Sequence, residues 1–351
     1  CLFKQIKTIC FNLTHEINFN NFPNNLHQFF SLAGSNDHLI LVENFKVILH
    51  INANSTTVQN LFKINHSKLK KIYLADNINK NPYETRFLKS FTNLTNLTLN
   101  SCEIGHLFNE SNQIFSTLTN LIRLELINIK NIYKISNRVF KGLKSLKKLI
   151  ICYNLIEKIE KNAFDNLKNL ITLELFHNTV KTIEYGAFDC INSLKEFRFN
   201  FNNTEVENRI EEIDIKLLNK LDNLESLDLS FSGISVLDKN IFNNFVNLEC
   251  LILSNNSFKM FDFVILKNLN KLTHLNLKNN KNLELNESSS FNHLESIESL
   301  AIDEKENLQI KLRSFKSLKE LYLSNCSTSI FELDFLRQEN RLIKLDISKK
   351  D

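Results

Sequence analysis

The sequence predicts an α/β solenoid, a stack of short coils with a parallel sheet on its concave side and irregular or short-helical segments on its convex side. Three observations predict it. One apolar pattern recurs about every 24 residues, its central members alternate as in a strand, and an Asn or Cys recurs at a fixed offset after them.

The pattern is clearest between Leu146 and Leu194, where two copies follow each other. The first reads Leu146-x-x-Leu149-x-Ile151-x-x-Asn154, then Ile156, Ile159, Ala163-Phe164 and Leu167. The second reads Leu170, Leu173, Leu175, Asn178, Val180, Ile183, Ala187-Phe188 and Ile191. The first, fourth and sixth positions cannot share one helix face, whereas the fourth and sixth share a face of a strand. A lone coil would leave that apolar row in water, so stacking the next coil on it makes the core. The ninth-position Asn reads as a buried amide serving turn backbone groups of adjacent coils, and the nineteenth-position Phe as packing of the convex side.

Taken in order, residues 1–44 read as an entry cap containing a first strand at Leu39-x-Leu41-x-x-Asn44. A cap is required because the first coil otherwise exposes its core row and an unpaired edge. Residues 45–68 read as a degenerate coil or an insertion. Leu49, Ile51 and Asn54 fit positions four, six and nine, but Lys46 stands where a Leu belongs. Residues 69–351 form the readable array, with coils beginning at Leu69, Leu94, Leu121, Leu146, Leu170, Leu194, Leu224, Leu248, Leu272, Ile297, Leu318 and Leu342. The coil from Leu194 has 30 residues and adds a polar excursion around Asn203 to Arg209, and the coil from Leu94 has 27, with a smaller excursion near Gly105 to Asn112. The coil from Ile297 has 21 and puts Asp303-Glu304-Lys305-Glu306 where the Asn turn belongs. The last coil has only begun when the sequence stops at Asp351, so the array is expected to continue in a longer protein.

Composition excludes more than it assigns. The 43 basic and 39 acidic residues leave a net charge of +4, which demands neither nucleic acid nor an acidic membrane. No run of about 18 apolar residues is available to span a bilayer. No Trp, five Gly and two Pro among abundant Asn, Lys, Ile and Phe read as a biased codon supply. The chain begins at Cys1 without a charged-then-apolar leader, so any signal peptide is expected to have been removed or to lie outside it. Seven Cys leave at least one unpaired. Cys102 and Cys326 stand at position nine, where a small buried thiol replaces the Asn. Cys152 and Cys250 lie four coils apart, beyond the Cα separation of about 7 Å that a disulfide tolerates. Cys1 and Cys10 are the one pair the sequence brings together, and a bond there would place the chain in an oxidising compartment.

The Leu-x-x-Leu-x-Leu-x-x-Asn core with its convex Phe, as in Leu248 to Asn256 preceded by Phe242, resembles the "typical" 24-residue class of animal extracellular leucine-rich-repeat proteins. Toll-like receptor ectodomains and insect adhesion and immune proteins belong to that class. The resemblance covers residues 69–351, and the segment from Cys1 through Cys10 and Phe22-Pro23-Asn24-Asn25-Leu26 is similar to the cysteine-flanked N-terminal cap of such proteins, though with fewer Cys. It implies a horseshoe fold, binding of a protein or microbial ligand on the concave or lateral face, and a homodimer or a heterodimer with another leucine-rich-repeat chain.

In each strand the third, fifth and seventh residues point away from the core and pave the concave surface. Four neighbouring coils place there Arg123, Glu125 and Ile127; Lys148, Ile150 and Cys152; Thr172, Glu174 and Phe176; Glu196, Arg198 and Asn200. Ile127, Ile150, Cys152 and Phe176 would form an apolar patch rimmed by both signs of charge, the pattern of a protein-binding surface. Ser226, Asp228, Ser230, His274, Asn276 and Lys278 continue the row as polar residues without a distinctive pattern. Sequons occur at Asn12, Asn54, Asn65, Asn93, Asn96, Asn109, Asn202, Asn255, Asn286 and Asn325. Asn65, Asn109 and Asn286 lie in variable segments and are the expected glycan acceptors, whereas Asn96 points out of a strand, where a glycan would obstruct the concave face.

Nothing predicts catalysis, a metal or a cofactor. The five Gly are scattered, and neither Cys-x-x-Cys, His-Glu-x-x-His nor Gly-x-Ser-x-Gly occurs. His177 near Glu174 is the nearest approach to an acid–base pair and reads as a solvated surface pair. The expected function is an extracellular ligand-binding ectodomain of receptor or pattern-recognition type. The alternatives are a homophilic adhesion or matrix protein and an intracellular inhibitor or scaffold of the ribonuclease-inhibitor kind.

Overall fold

A computed structural model describes residues 8–13, 46–51, 70–75, 88–89, 91–102, 104–108, 113–200, 215–280, 283–285, 294–303, 315–326 and 342–349. It divides into two compact units, Cys1–Ile171 and Thr172–Asp351.

Each unit is a parallel β-solenoid. In the first, the strands Thr8–Leu13, Lys46–Ile51, Lys71–Ala75, Asn96–Asn100, Arg123–Ile127 and Lys148–Cys152 pair in sequence order. In the second, Thr172–Phe176, Glu196–Asn200, Ser226–Asp228, Cys250–Ile252, His274–Asn276, Ser299–Asp303, Glu320–Cys326 and Lys344–Lys349 do the same. From Lys71 onward every one of these strands begins two residues after a coil start read from the sequence. The register stacks like on like: Leu97 faces Leu124, which faces Leu149, and Leu99 faces Leu126, which faces Ile151. All six are fully buried, so each coil closes the apolar row of its neighbour.

The opposite side of each coil is made of successive tight turns. Leu118 N–H donates to Phe115 C=O and Leu121 N–H to Leu118 C=O, both at 3.0 Å, and the same relay runs through Phe140, Leu143 and Leu146. Helix is confined, among the described residues, to short pieces such as Gly105–Leu107, Ile215–Leu218 and Phe263–Leu266. The convex-side phenylalanines of the first unit stack almost in parallel, with centroids 6.3 Å apart for Phe115–Phe140 and 5.9 Å for Phe140–Phe164. Gly142 holds a turn at φ +99°, where an added Cβ would meet Ser116 C=O at 2.4 Å.

The ninth-position amides Asn154 and Asn256 work as expected. Asn154 accepts from Ile129 N–H at 2.6 Å and donates to Leu126 C=O and Cys152 C=O. Asn256 accepts from Ser232 and Ile234 N–H and donates to Leu229 and Leu253 C=O. Where the position is Cys102, the thiol is fully buried and donates to Asn100 C=O. The short coil from Ile297 solves the problem differently: Asp303, only 3% exposed, accepts from Asn279 N–H of the preceding coil and from Ser324 Oγ of the following one.

The eighth position carries a backbone feature that the apolar pattern does not show. Ser101, Asn128, Tyr153, His177, Phe231, Asn255 and Asn279 all sit there with φ between 50° and 60°. The strand ends at this point and the chain must swing toward the next side of the coil, which the left-handed conformation accomplishes in one residue.

Before Lys71 the register differs from expectation. Val47 and Leu49, not Leu49 and Ile51, pair with Ile72 and Leu74 and so occupy positions four and six. A slip of two residues leaves the same face inward, which is why the apolar pattern alone did not separate the two registers. Thr8–Leu13 pairs directly with Lys46–Ile51; the strand expected at Leu39 and Leu41 lies outside the described residues, as do Cys1 of the expected disulfide and Asn65, Asn109 and Asn286. In the Lys344–Lys349 strand, Ile347 at a core position is 43% exposed, whereas its partner Leu323 is fully buried.

Candidate binding surface

In the first unit the expected face residues fall on the strands Arg123–Ile127 and Lys148–Cys152. Arg123 Nε donates to Glu125 Oε1 at 2.5 Å, and Thr98 Oγ1 on the neighbouring strand donates to Glu125 Oε2 at 3.1 Å. Ile127 is half-buried. Ile150 and Cys152 are covered, with 9% and 3% of their surface left, so the expected apolar patch does not stand open at those two residues.

In the second unit Thr172, Glu174 and Phe176 lie on one strand and Glu196, Arg198 and Asn200 on the next, as the spacing required. Thr172 is itself buried and donates from Oγ1 to Glu196 Oε2 at 3.1 Å. Arg198 stands between two carboxylates on its flanking strands, its Nε 3.1 Å from Asp228 Oδ2 and its terminal nitrogen 3.7 Å from Glu174 Oε2. Asp228 is held from behind, its Oδ1 accepting from Ser230 N–H at 3.0 Å and Ser230 Oγ at 2.6 Å. Phe176 is half-buried, with the His177 ring edge-on at 5.5 Å. Burial pushes the His177 imidazole below its ordinary pKa, so at neutral pH it is uncharged.

Asp228 was expected on the strand face but without a distinctive role, and Tyr322 was not among the expected face residues. The signal for Asp228 was the alternation of Glu174, Arg198 and Asp228 at the fifth position of consecutive coils, which only the register makes meaningful. Tyr322 is flanked by Lys278 and Lys344, whose ammonium groups lie 5.8 and 4.8 Å from the ring centroid, and its hydroxyl donates to Glu320 Oε2 at 3.1 Å. Ala301 on the strand between is small enough to let Lys278 reach across.

Chemically this surface offers fixed charges and half-buried rings. The Cys250 thiol beside it is pushed up by burial and by Asp228, against a lowering hydrogen bond with Ser226, and stays protonated at neutral pH. No three His, Cys, Asp or Glu side chains among the described residues are placed to hold a metal ion, and no described helix is long and apolar enough to cross a membrane.

Two family models match the chain, one described as a leucine rich repeat over residues 144–203 and one as a BspA type leucine rich repeat region over residues 197–322. The chain is a leucine-rich-repeat protein. Its fold resembles that of a Toll-like receptor, TLR13 in complex with ssRNA13, with a TM-score of 0.72 at 21% identity over 99% of this chain and 47% of that one. A Listeria monocytogenes internalin, InlF, gives 0.59 at 20% identity over 90% and 84%. Drosophila Toll in complex with Spatzle gives 0.50 at 17% identity over 98% and 47%. This leucine-rich-repeat chain thus spans about half the length of the two receptor chains it resembles. No curated protein matches it in sequence.

Proposed function

We propose that the chain is the ligand-binding part of an extracellular receptor of pattern-recognition type, taking a protein or microbial ligand on the solvent face of its strands. The observation that supports this most is the Glu174–Arg198–Asp228 cluster, in which one guanidinium is held ready between two carboxylates on adjacent strands. A ligand covering it removes water from fixed charges, and low local dielectric strengthens each hydrogen bond it completes. Arginine and aromatic residues on such a surface are the usual anchors of protein recognition. Binding residues in the second unit are Glu174, Phe176, Glu196 and Arg198, with the buried Asp228 holding the Arg198 guanidinium; Thr172, which is covered, leaves the set. In the first unit they are Arg123, Glu125, Ile127 and Lys148; Ile150 leaves the set because it is covered. The fold likeness to TLR13 and Toll, both seen in complexes, favours a binding role over the adhesion and scaffold alternatives.

The test is a screen of the secreted chain against extracellular proteins and microbial cell-wall fractions, repeated with Arg198→Glu and with Phe176→Asp. Loss of the binder in both variants, with unchanged unfolding, is expected. A binder indifferent to both, or a chain that binds nothing in either panel, contradicts the reading.

A further inference from the structure

The two units carry opposite charge. Residues 1–171 hold 21 basic and 11 acidic side chains, and residues 172–351 hold 22 and 28, so the overall +4 divides into +10 and −6. Over six consecutive coils the sign changes on one edge, the segment from five residues before a coil start to two after it; in the coils from Leu272 onward that edge is basic again, with eight basic and four acidic residues. In the first unit, over the coils starting at Leu121, Leu146 and Leu170, that edge has six basic residues and one acidic. In the second, over the coils starting at Leu194, Leu224 and Leu248, it has five acidic and two basic, and one of those two, Lys195, is held by Glu225 at 2.6 Å.

Lys141, Lys144, Lys147 and Lys168 are exposed and form no ion pair among the described residues. Asp189 and Asp222 are exposed and equally unpaired, and Glu249 is exposed beside them. Each edge also shows an aliphatic side chain to water: Ile122, 43% exposed, whose C=O accepts from Lys147 N–H, and Val246, 53% exposed, three residues before Glu249. An apolar centre inside a charged rim is the anatomy of a protein interface. Here the two rims have opposite sign at equivalent coil positions.

We propose that the lysine edge of the first unit docks on the acidic stretch of the second unit's edge, over the coils from Leu194, Leu224 and Leu248, of another copy of this chain, with Ile122 and Val246 meeting inside the paired charges. A linear polyanion would fit the lysines, but it leaves the matching acidic edge and both exposed aliphatics without a role. Exposed charge pairs each contribute little and fade beyond a Debye length of about 10 Å at 0.1 M salt. The contact is therefore weak, fast to form and sensitive to ionic strength.

The experiment is sedimentation of the full chain across a salt series, together with two triple variants. Lys141→Glu/Lys144→Glu/Lys168→Glu takes the lysine edge from six basic and one acidic residue to three and four, and Asp189→Lys/Asp222→Lys/Glu249→Lys takes the acidic edge from five acidic and two basic residues to two and five. Wild type is expected to self-associate at low salt and dissociate as salt is added. Each variant alone is expected to be monomeric with an unchanged unfolding transition, and an equimolar mixture of the two is expected to form a salt-sensitive one-to-one complex. A wild type that is monomeric at every salt concentration overturns the proposal, and if it then binds heparin through the same lysines the edge belongs to a polyanion. Variants that still self-associate, or a mixture that fails to pair, overturn it as well.

Discussion

Phe231 occupies a backbone conformation that suits it poorly. At φ 55° its Cβ crowds the following carbonyl, a cost of about 1 to 2 kcal/mol for most residues that Asn escapes in part. Three of the seven residues that adopt this φ at the position are already Asn, and Phe231 is 44% exposed, so little packing is lost with it. Phe231→Asn is expected to stabilise the chain by about 0.5 to 1 kcal/mol in urea unfolding; a destabilised variant would mean that the ring packs in solution. Asn256 makes the opposite case. Its removal strands two N–H and two C=O groups in the core, and Asn256→Ala should cost at least about 2 kcal/mol, measured the same way. The sequence announced the amide, because Asn at a fixed offset in an apolar repeat needs backbone partners. It did not announce the left-handed residue before it, since Tyr153, His177 and Phe231 conceal a position that Asn128, Asn255 and Asn279 would have marked.

At the scale of the element, strand placement was legible because three apolar positions per coil must coincide with a turn amide, which leaves one register free of conflict. Where two registers both satisfy it, the constraint fails: for the strand Lys46–Ile51, Asn54 falls at position nine of the expected register and Asn52 at position nine of the observed one. The strand Lys46–Ile51 could slide by two residues without turning a side chain outward, and it took the register that apolar spacing alone did not select. The solvent face of the strands was legible to the same depth. Strand parity put Glu174, Arg198 and Phe176 on one face, but whether a face residue stays open depends on its neighbours' length, and Ile150 and Cys152 proved covered. The phenylalanine stack is the element's clearest energetic claim. Phe140 lies between Phe115 and Phe164 and is fully buried. Phe140→Ala should therefore cost about 3 to 5 kcal/mol, whereas a cost under about 1 kcal/mol in chemical denaturation would show that the convex turns collapse readily into the space.

At the scale of the whole molecule, the fold was readable from repetition, while the function was readable only as a class. Repeated coils specify a core and leave the solvent face free, so the residues that choose a ligand obey no period and give no sequence signal of their own. The +4 net charge also concealed the +10 and −6 of its parts, because a sum over the chain erases the arrangement that partners meet. The central claim, a leucine-rich-repeat chain working outside the cell, has a direct chemical consequence. Secretion exposes sequons to glycan transfer and thiols to oxidation. Peptide mapping of the chain expressed in animal cells with a secretory leader reads both at once. The account predicts occupied Asn65, Asn109 and Asn286, an unmodified Asn96 and a bond between Cys1 and Cys10. Failure to secrete, with free thiols and bare asparagines, would contradict it and favour an intracellular scaffold.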